Sequence, residues 1–392
     1  METKVDISDG YKPRSNQEQS IDTFDRYSLY PIKDEVAFMF HKKQELMFWT
    51  EDELDFPSDI PDYKSCSPPA KRLMDYILAY FLVGDGAVSE TVVQGFLTNA
   101  KTYEEKAFMI TQVYVELVHA KTYGLAALTF LESEERVHEL CAMVEQSKCI
   151  QAKINFIKKW QDPDRPYWQR LAANACVEGI HFSNLFLAIF WFKSTGKFTN
   201  FGLANELISG DETLHRNYYC HLAMKEMRIM AEGYASLDSD NQGDRQIDGT
   251  QILQGSAYQA KFLSLATQIV HQIVQDAVAI EDMFTDESLP EPIDDLQPSK
   301  IRIYTRVIAD NLLYEMKQPI LYKLTNPYPF MDNIGTAVKG NFHEVRIGAY
   351  KKRNLLDALD WKKRTQPQVI KTVSTAAGVT EVDPFNNPDL FI

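Results

Sequence analysis

The sequence predicts an all-α protein built as a bundle of long helices, and three observations predict it. From Ala70 to Tyr322 apolar residues recur at helical spacing in long amphipathic segments with few glycines. The breaks between segments are few: near Lys101, at Ser133 to Glu135, at Asp162 to Pro166, around Gly196 and Gly202, at Leu237 to Gly249, and at Pro290 to Pro298. Segments of that length suit a bundle better than a globin-like packing. Inside them lie four acidic stretches: VGDGAVSE, VELVH, VEGIHF and SGDETLH.

Taken in order, residues 1–25 are polar and acidic, lack the apolar core of a signal peptide, and read as a flexible arm. The domain proper is expected over residues 26–350. It opens with a helix through Val36, Phe38, Met39, Phe40, Leu46 and Met47 that ends near Trp49. Pro57, Pro61, Pro68 and Pro69 mark a connection into the long helices. After Tyr322, NPYPFMDNIGTAVKG leads to a short basic and apolar segment around Tyr350. Residues 351–392 form a tail that becomes turn-rich and weakly periodic.

Composition narrows the function. Of 392 residues 45% are hydrophobic, enough for a large core, and 41 basic against 55 acidic residues give a net charge of −14. That balance argues against a nucleic-acid surface. Five scattered cysteines with no CxxC spacing read as reduced thiols, not as a zinc site or a disulfide frame, and imply a cytoplasmic protein. The greasiest run, Phe182 to Phe192, is too short to span a membrane and contains Ser183 and Asn184.

The acidic stretches point to a metal pair. Residues at i and i+3 share a helix face, so Glu116 projects with His119 and Glu212 with His215. Adding Asp85 and Glu178 gives six ligands for two first-row metals, the ligand pattern of ferritin-like carboxylate bundles. ExxH alone is weak, because Glu135–His138 and Glu178–His181 also match. Spacing separates them. Asp85 precedes Glu116 by 31 residues and Glu178 precedes Glu212 by 34, so a carboxylate helix followed by an ExxH helix occurs twice. Glu135 and His138 sit in the charged run ESEERVHE and read as a solvated helix start. His181 reads as a packing or supporting histidine one turn from Glu178. Four buried carboxylates near Phe81, Leu82, Val115 and Ile208, with no matching Lys or Arg, would be costly without metal.

The ordered set Asp85, Glu116xxHis119, Tyr123, Glu178, Asp211-Glu212xxHis215 resembles the radical-generating small subunit of class I ribonucleotide reductase over roughly residues 27–350. ANACVEGIHFSNLFLAIFW, FGLANELISGDETLH and NPYPFMDNI resemble its eukaryote-type branch in particular. The resemblance implies two iron ions, with manganese or a mixed pair as variants. It implies a tyrosyl radical on Tyr123, shielded by Phe182, Phe186 and Ile208. It also implies radical transfer through Trp49, Asp211 and Tyr350, a homodimer, and a large catalytic subunit docked by the tail through Phe385, Leu390, Phe391 and Ile392. No glycine-rich phosphate loop is present, in keeping with a nucleotide site on the other subunit.

Two other readings use the same ligands: a ferritin-like di-metal oxidase of an organic substrate, and an iron-binding or storage protein. Neither calls for Trp49, Tyr350 or a docking tail. Gly210 stands where the family usually has arginine, and His181 where the eukaryote-type branch commonly has phenylalanine. Differences from relatives are expected at these two positions.

Overall fold

The computed structural model describes residues 27–236 and 255–333. Among them there is no strand, only one isolated bridge pair, Ile293 with Leu296. Helix α1 (Glu35–Leu46) begins at Asp34, whose carboxylate accepts the Ala37 amide at 3.0 Å and so satisfies one of the first-turn donors. Single helical turns at Glu51–Glu53, Phe56–Asp59 and Ile60–Lys64 follow. Asp59 on this path accepts the Phe201 amide at 2.7 Å, tying the connection to the start of a later helix.

Two long helices come next. Helix α2 (Pro68–Thr91) has prolines in its first turn, where a missing N–H costs nothing, and runs on into a π turn at Val92–Phe96. Helix α3 (Tyr103–Leu131) is capped by Thr102 and stops at Glu132, which takes a left-handed conformation. Helices α4 (Glu134–Gln146) and α5 (Lys148–Trp160) share Ser147, the C-terminal cap of one and the N-terminal cap of the next.

Helix α6 (Tyr167–Cys176) leads into a second π turn, Val177–His181, and then α7 (Ser183–Ser194). Gly196, at φ +80°, makes the turn into α8 (Thr199–Ser236). The break expected at Gly202 does not occur: Gly202 lies inside α8. A Cβ there would meet the Lys193 side chain at 2.7 Å, so this glycine serves a close approach and not a turn. Helices α9 (Gly255–Ser288) and α10 (Pro298–Glu315) complete the bundle.

Helix α2 packs along α3, α6 along α8, and α1 against α3. The four carboxylate-bearing elements therefore face one core. The stretch read as too short for a membrane belongs to a longer rod, Tyr167–Ser194, which by length and composition alone is apolar enough to cross one. Its most apolar window is 94% buried within the bundle, so its apolarity is that of a core helix.

Candidate metal centre

Asp85 comes from α2, Glu116 and His119 from α3, Glu178 from the second π turn, and Glu212 and His215 from α8. All six side chains are essentially inaccessible to solvent. Ligand atoms of Glu116, Glu178, Glu212 and His215 lie within 4.8 Å of one another. His119 Nδ1 faces the same group, 3.0 Å from Glu212 Oε1 and 3.4 Å from Glu116 Oε2. Asp85 is outside that four-residue group, and both its carboxylate oxygens are buried without a hydrogen-bond partner.

The outer nitrogens fix how the imidazoles are presented. His119 Nε2 lies 3.1 Å from Asp211 Oδ2, which accepts, so Nε2 carries the proton and Nδ1 keeps its lone pair for the centre. His215 Nε2 lies 3.0 Å from Gln44 Oε1. The Gln44 amide is oriented in turn by donating to Asp211 Oδ1 at 2.7 Å, so its oxygen can only accept from His215. Asp211 also accepts the Trp49 indole N–H at 2.8 Å, and the Trp49 ring stacks on His119 with centroids 5.9 Å apart. Trp49, Asp211 and His119 are thus one connected unit, with Gln44 joining it to His215.

On the far side, Tyr219 donates to Gln112 Oε1 at 2.8 Å. That sets Gln112 Nε2 to donate to Glu116 at 3.2 Å and Glu178 at 3.0 Å. Asn174 donates to the same Glu178 oxygen at 3.2 Å. Sequence patterns singled out none of Gln44, Gln112, Asn174 and Asn205. A signal exists: Gln112 and Asn174 lie one helical turn before Glu116 and Glu178, Asn205 two turns before Glu212, and Gln44 on the buried face of α1 with Ala37 and Phe40.

Electrostatics favour a bound cation pair. Burial pushes Asp85 and Glu178 well above the usual carboxylate range, and their acidic neighbours push them further. Burial would raise Glu212 too, but the adjacent His119 and His215 hold it ionised. For His215 burial works against the charge, yet Glu116 and Glu212 outweigh it and raise the ring to about 9. Among the described residues no Lys or Arg pairs with any of the four carboxylates. Removing an ion from water costs several kcal/mol, whereas a fully buried Leu or Phe contributes roughly 1.5–3 kcal/mol. Ordinary core packing does not offset four such groups; two divalent cations match their charge. Buried oxygens without hydrogen-bond partners on all four carboxylates fit that requirement. The donor set of carboxylate oxygens and imidazole nitrogens suits iron or manganese.

Tyr123 is fully buried on α3, and its hydroxyl donates to Asn205 Oδ1 at 2.7 Å. Burial, then the charges of Asp85, Glu212 and Glu116, hold the phenol well above its ordinary pKa, so it keeps its proton. The ring lying directly on it is Phe81, stacked face to face at 3.9 Å, with Phe201 edge-on at 6.1 Å. Phe182 and Phe186 flank Phe81 at 5.7 and 5.8 Å, and Ile208 is fully buried. His181 is not in the four-residue ligand group and makes an edge contact with Phe156 at 4.7 Å. Glu135 and His138 are exposed at the start of α4. Tyr350 and the tail residues Phe385, Leu390, Phe391 and Ile392 lie outside the described residues.

A helical bundle that gathers carboxylates and two histidines from four elements defines the class: a ferritin-like carboxylate protein with a buried cluster of metal-ligand type. Within that class the chain belongs to the ribonucleotide reductase small-chain family, whose model matches residues 26–233. It is similar to the ribonucleoside-diphosphate reductase small chain of Plasmodium falciparum, 32% identical over 85% of each chain. The Vaccinia virus small chain is 30% identical over 86% of this chain and 94% of its own. Among solved structures it resembles the Saccharomyces cerevisiae ribonucleotide reductase Rnr4 homodimer, with a TM-score of 0.64 at 22% identity over 80% of this chain and 89% of that one. The dimanganese(II) NrdF of Streptococcus sanguinis gives 0.61 at 17% identity, covering 78% and 96%. The chain is the small subunit of a ribonucleoside-diphosphate reductase.

Proposed function

We propose that the chain holds two metal ions on Asp85, Glu116, His119, Glu178, Glu212 and His215, and uses them to generate and store a radical on Tyr123. The observation that carries this reading is Tyr123 itself: sealed under Phe81, hydrogen-bonded to a neutral amide, and one turn beyond His119. The chemistry that an iron pair, a manganese pair or a mixed pair supplies when bound is one-electron oxidation driven by dioxygen.

The chain's own residues set the conditions. Tyr123 must lose an electron and its proton together, because burial forbids the phenolate; Asn205 is too weak a base to take the proton, which passes to the carboxylates of the centre, Asp85 with its unpartnered oxygens foremost. Phe81, Phe182, Phe186 and Ile208 keep water and reductants from the resulting neutral radical. Trp49, Asp211 and His119 form the bonded route along which an electron passes between the centre and the outside. Tyr350 and the apolar end of the tail continue that route to a large subunit, where ribonucleotides are reduced to deoxyribonucleotides. The domain limits 26–350 and 351–392 follow from that division. The free thiols are in keeping with a cytoplasmic setting.

Val36, Met39 and Leu46 on α1 and Ile110, Tyr114 and Leu117 on α3 are exposed among the described residues, and a second copy of the chain covers them as a homodimer. The test of the radical reading is electron paramagnetic resonance after oxygenation of the iron-loaded protein. A tyrosyl signal is expected and should vanish in Tyr123→Phe. No such signal under iron, manganese or mixed loading would refute the assignment.

A further inference from the structure

We propose that Lys153 is a positioning residue of the metal centre, clamping the π turn that carries Glu178; this rests on Glu178 being a ligand. Lys153 is on α5, outside the set of ligand-bearing elements, yet its side chain is completely buried. Its ammonium donates to the main-chain carbonyl of His181, the last residue of the turn Val177–His181. It also pairs with Glu281 of α9, itself fully buried. The rings of Tyr80 on α2 and Phe284 on α9 close over it at 4.3 and 4.4 Å. One ammonium therefore touches the helix of Asp85, the turn of Glu178 and the buttress α9.

The turn needs such a hold. A π turn interrupts the regular ladder of helix hydrogen bonds, and this one ends in carbonyls that take side-chain donors: Ile180 accepts Ser183 Oγ at 2.7 Å, and His181 accepts Lys153. Its opposite face is closely packed, since a Cβ at Gly179 would lie 2.6 Å from the Arg216 side chain and 3.1 Å from Leu312, so a larger residue there would have to displace Arg216. The next helix is tied to the same point of α9, with Asn184 donating to the Thr285 hydroxyl at 3.2 Å and to the Glu281 carbonyl at 3.4 Å. Pinned between Arg216 and Lys153, the turn has one setting, and Glu178 is held where its carboxylate meets Glu116, Glu212 and His215. A buried ion pair adds little net stability compared with apolar side chains of the same size, so the gain from keeping it lies in geometry.

The double variant Lys153→Met/Glu281→Leu removes both charges together, fills the same space and deletes the donor to His181. The full-length protein is titrated with Mn2+ alone, following bound metal by calorimetry and the coupled two-manganese signal by electron paramagnetic resonance. The wild type is expected to bind two ions. In the variant the weaker of the two should loosen about tenfold or more, with loss of the coupled signal, while the metal-free melting temperature holds or rises. Two ions bound with wild-type affinities and a wild-type coupled signal would overturn the proposal. A wild type that binds fewer than two ions would overturn the metal-centre reading itself, and the clamp with it. Should the double variant not fold, Lys153→Met alone takes its place, deleting the same donor to His181. Weakened binding of the second ion is then expected, and unchanged affinity overturns the clamp.

Discussion

The Trp49 indole and the His119 imidazole share one carboxylate oxygen, Asp211 Oδ2, at 2.8 and 3.1 Å. The two rings are stacked as well, so the path from indole to centre contains a single acceptor atom. Asp211→Asn keeps the shape but replaces an acceptor with an amide that can present N–H to His119. The imidazole then loses the partner that reserves Nδ1 for metal, and metal affinity is expected to fall about 10- to 100-fold. Trp49→Phe leaves Asp211 and His119 in place and should retain both metals while losing most nucleotide-reducing activity with the large subunit. Metal titration beside activity separates the two variants. Equal loss of metal in both would contradict the assigned roles.

Among the described residues Asn205 is the sole hydrogen-bond partner of the Tyr123 hydroxyl, and its own amide is held by the Phe201 carbonyl at 2.8 Å. Asn205→Leu strands a buried phenol, with an expected stability loss of about 1–3 kcal/mol in chemical denaturation. The neutral radical no longer carries the proton that Asn205 Oδ1 accepts, and the Asn205 N–H is held by Phe201, so the tyrosyl resonance should form in the variant with an unchanged g-tensor. A shifted g-tensor would mean that Asn205 turns its N–H to the radical.

The helices and the buried cluster of carboxylates and histidines were legible because both obey short-range rules: helical periodicity, and ExxH placing two donors on one face. The tandem order removed Glu135–His138, which the fold leaves in solvent. The shield around Tyr123 was only half legible. Phe182 and Phe186 follow from the register of Glu178, but Phe81, the ring that touches Tyr123, comes from another helix, and nothing local in the sequence couples α2 to α3 at that level. Gln44 and Lys153 were invisible for the same reason. Each acts across a distance of more than a hundred residues or through a backbone carbonyl, where residue type alone carries no pattern. At Gly210 the structure surrounds the neighbouring Asp211 with Gln44, Trp49 and His119 as partners. His181 differs from the expected phenylalanine yet keeps an aromatic packing role against Phe156.

Divalent metal should stabilise the fold, because the carboxylates at the centre repel one another without it. Adding Mn2+ in excess at a hundredfold its dissociation constant is expected to add about 2.7 kcal/mol for each ion bound, read as a higher melting temperature that a chelator reverses. Glu212→Ala should abolish the metal response, since Glu212 lies against both histidines. A melting temperature indifferent to metal in the wild type would mean that the cluster is structural.

Alkaline pH should weaken the fold through its buried thiols. Burial raises Cys149 to about 11 and Cys220 to about 12, and lifts Cys176 as well. Each folded pKa exceeds the unfolded value, so between the two the native state holds more protons. The stabilisation is complete below about pH 9 and is lost as pH rises through the folded values. At pH 8.5 an alkylating agent should label exposed Cys141 first, half-buried Cys66 more slowly, and the other three only after denaturation. Mass spectrometry of the labelled protein checks this order. Rapid labelling of Cys176 or Cys220 in the native protein would contradict it.

On α3, Ile110, Tyr114 and Leu117 are 55%, 45% and 53% exposed, although the opposite face of the same helix carries Glu116 and His119 into the core. Their spacing of four and three residues makes one stripe, and Phe48 extends it by stacking on Tyr114 at 5.7 Å. A two-fold dimer brings the same patch against itself, so a charge placed there meets its own copy. Ile110→Glu/Tyr114→Glu should therefore convert a dimer into a monomer, with circular dichroism unchanged because neither side chain supports the core. Light scattering on the eluting protein gives the mass directly. A wild type that is monomeric at every concentration, or a variant that stays dimeric, would show that this face is not where the copies meet.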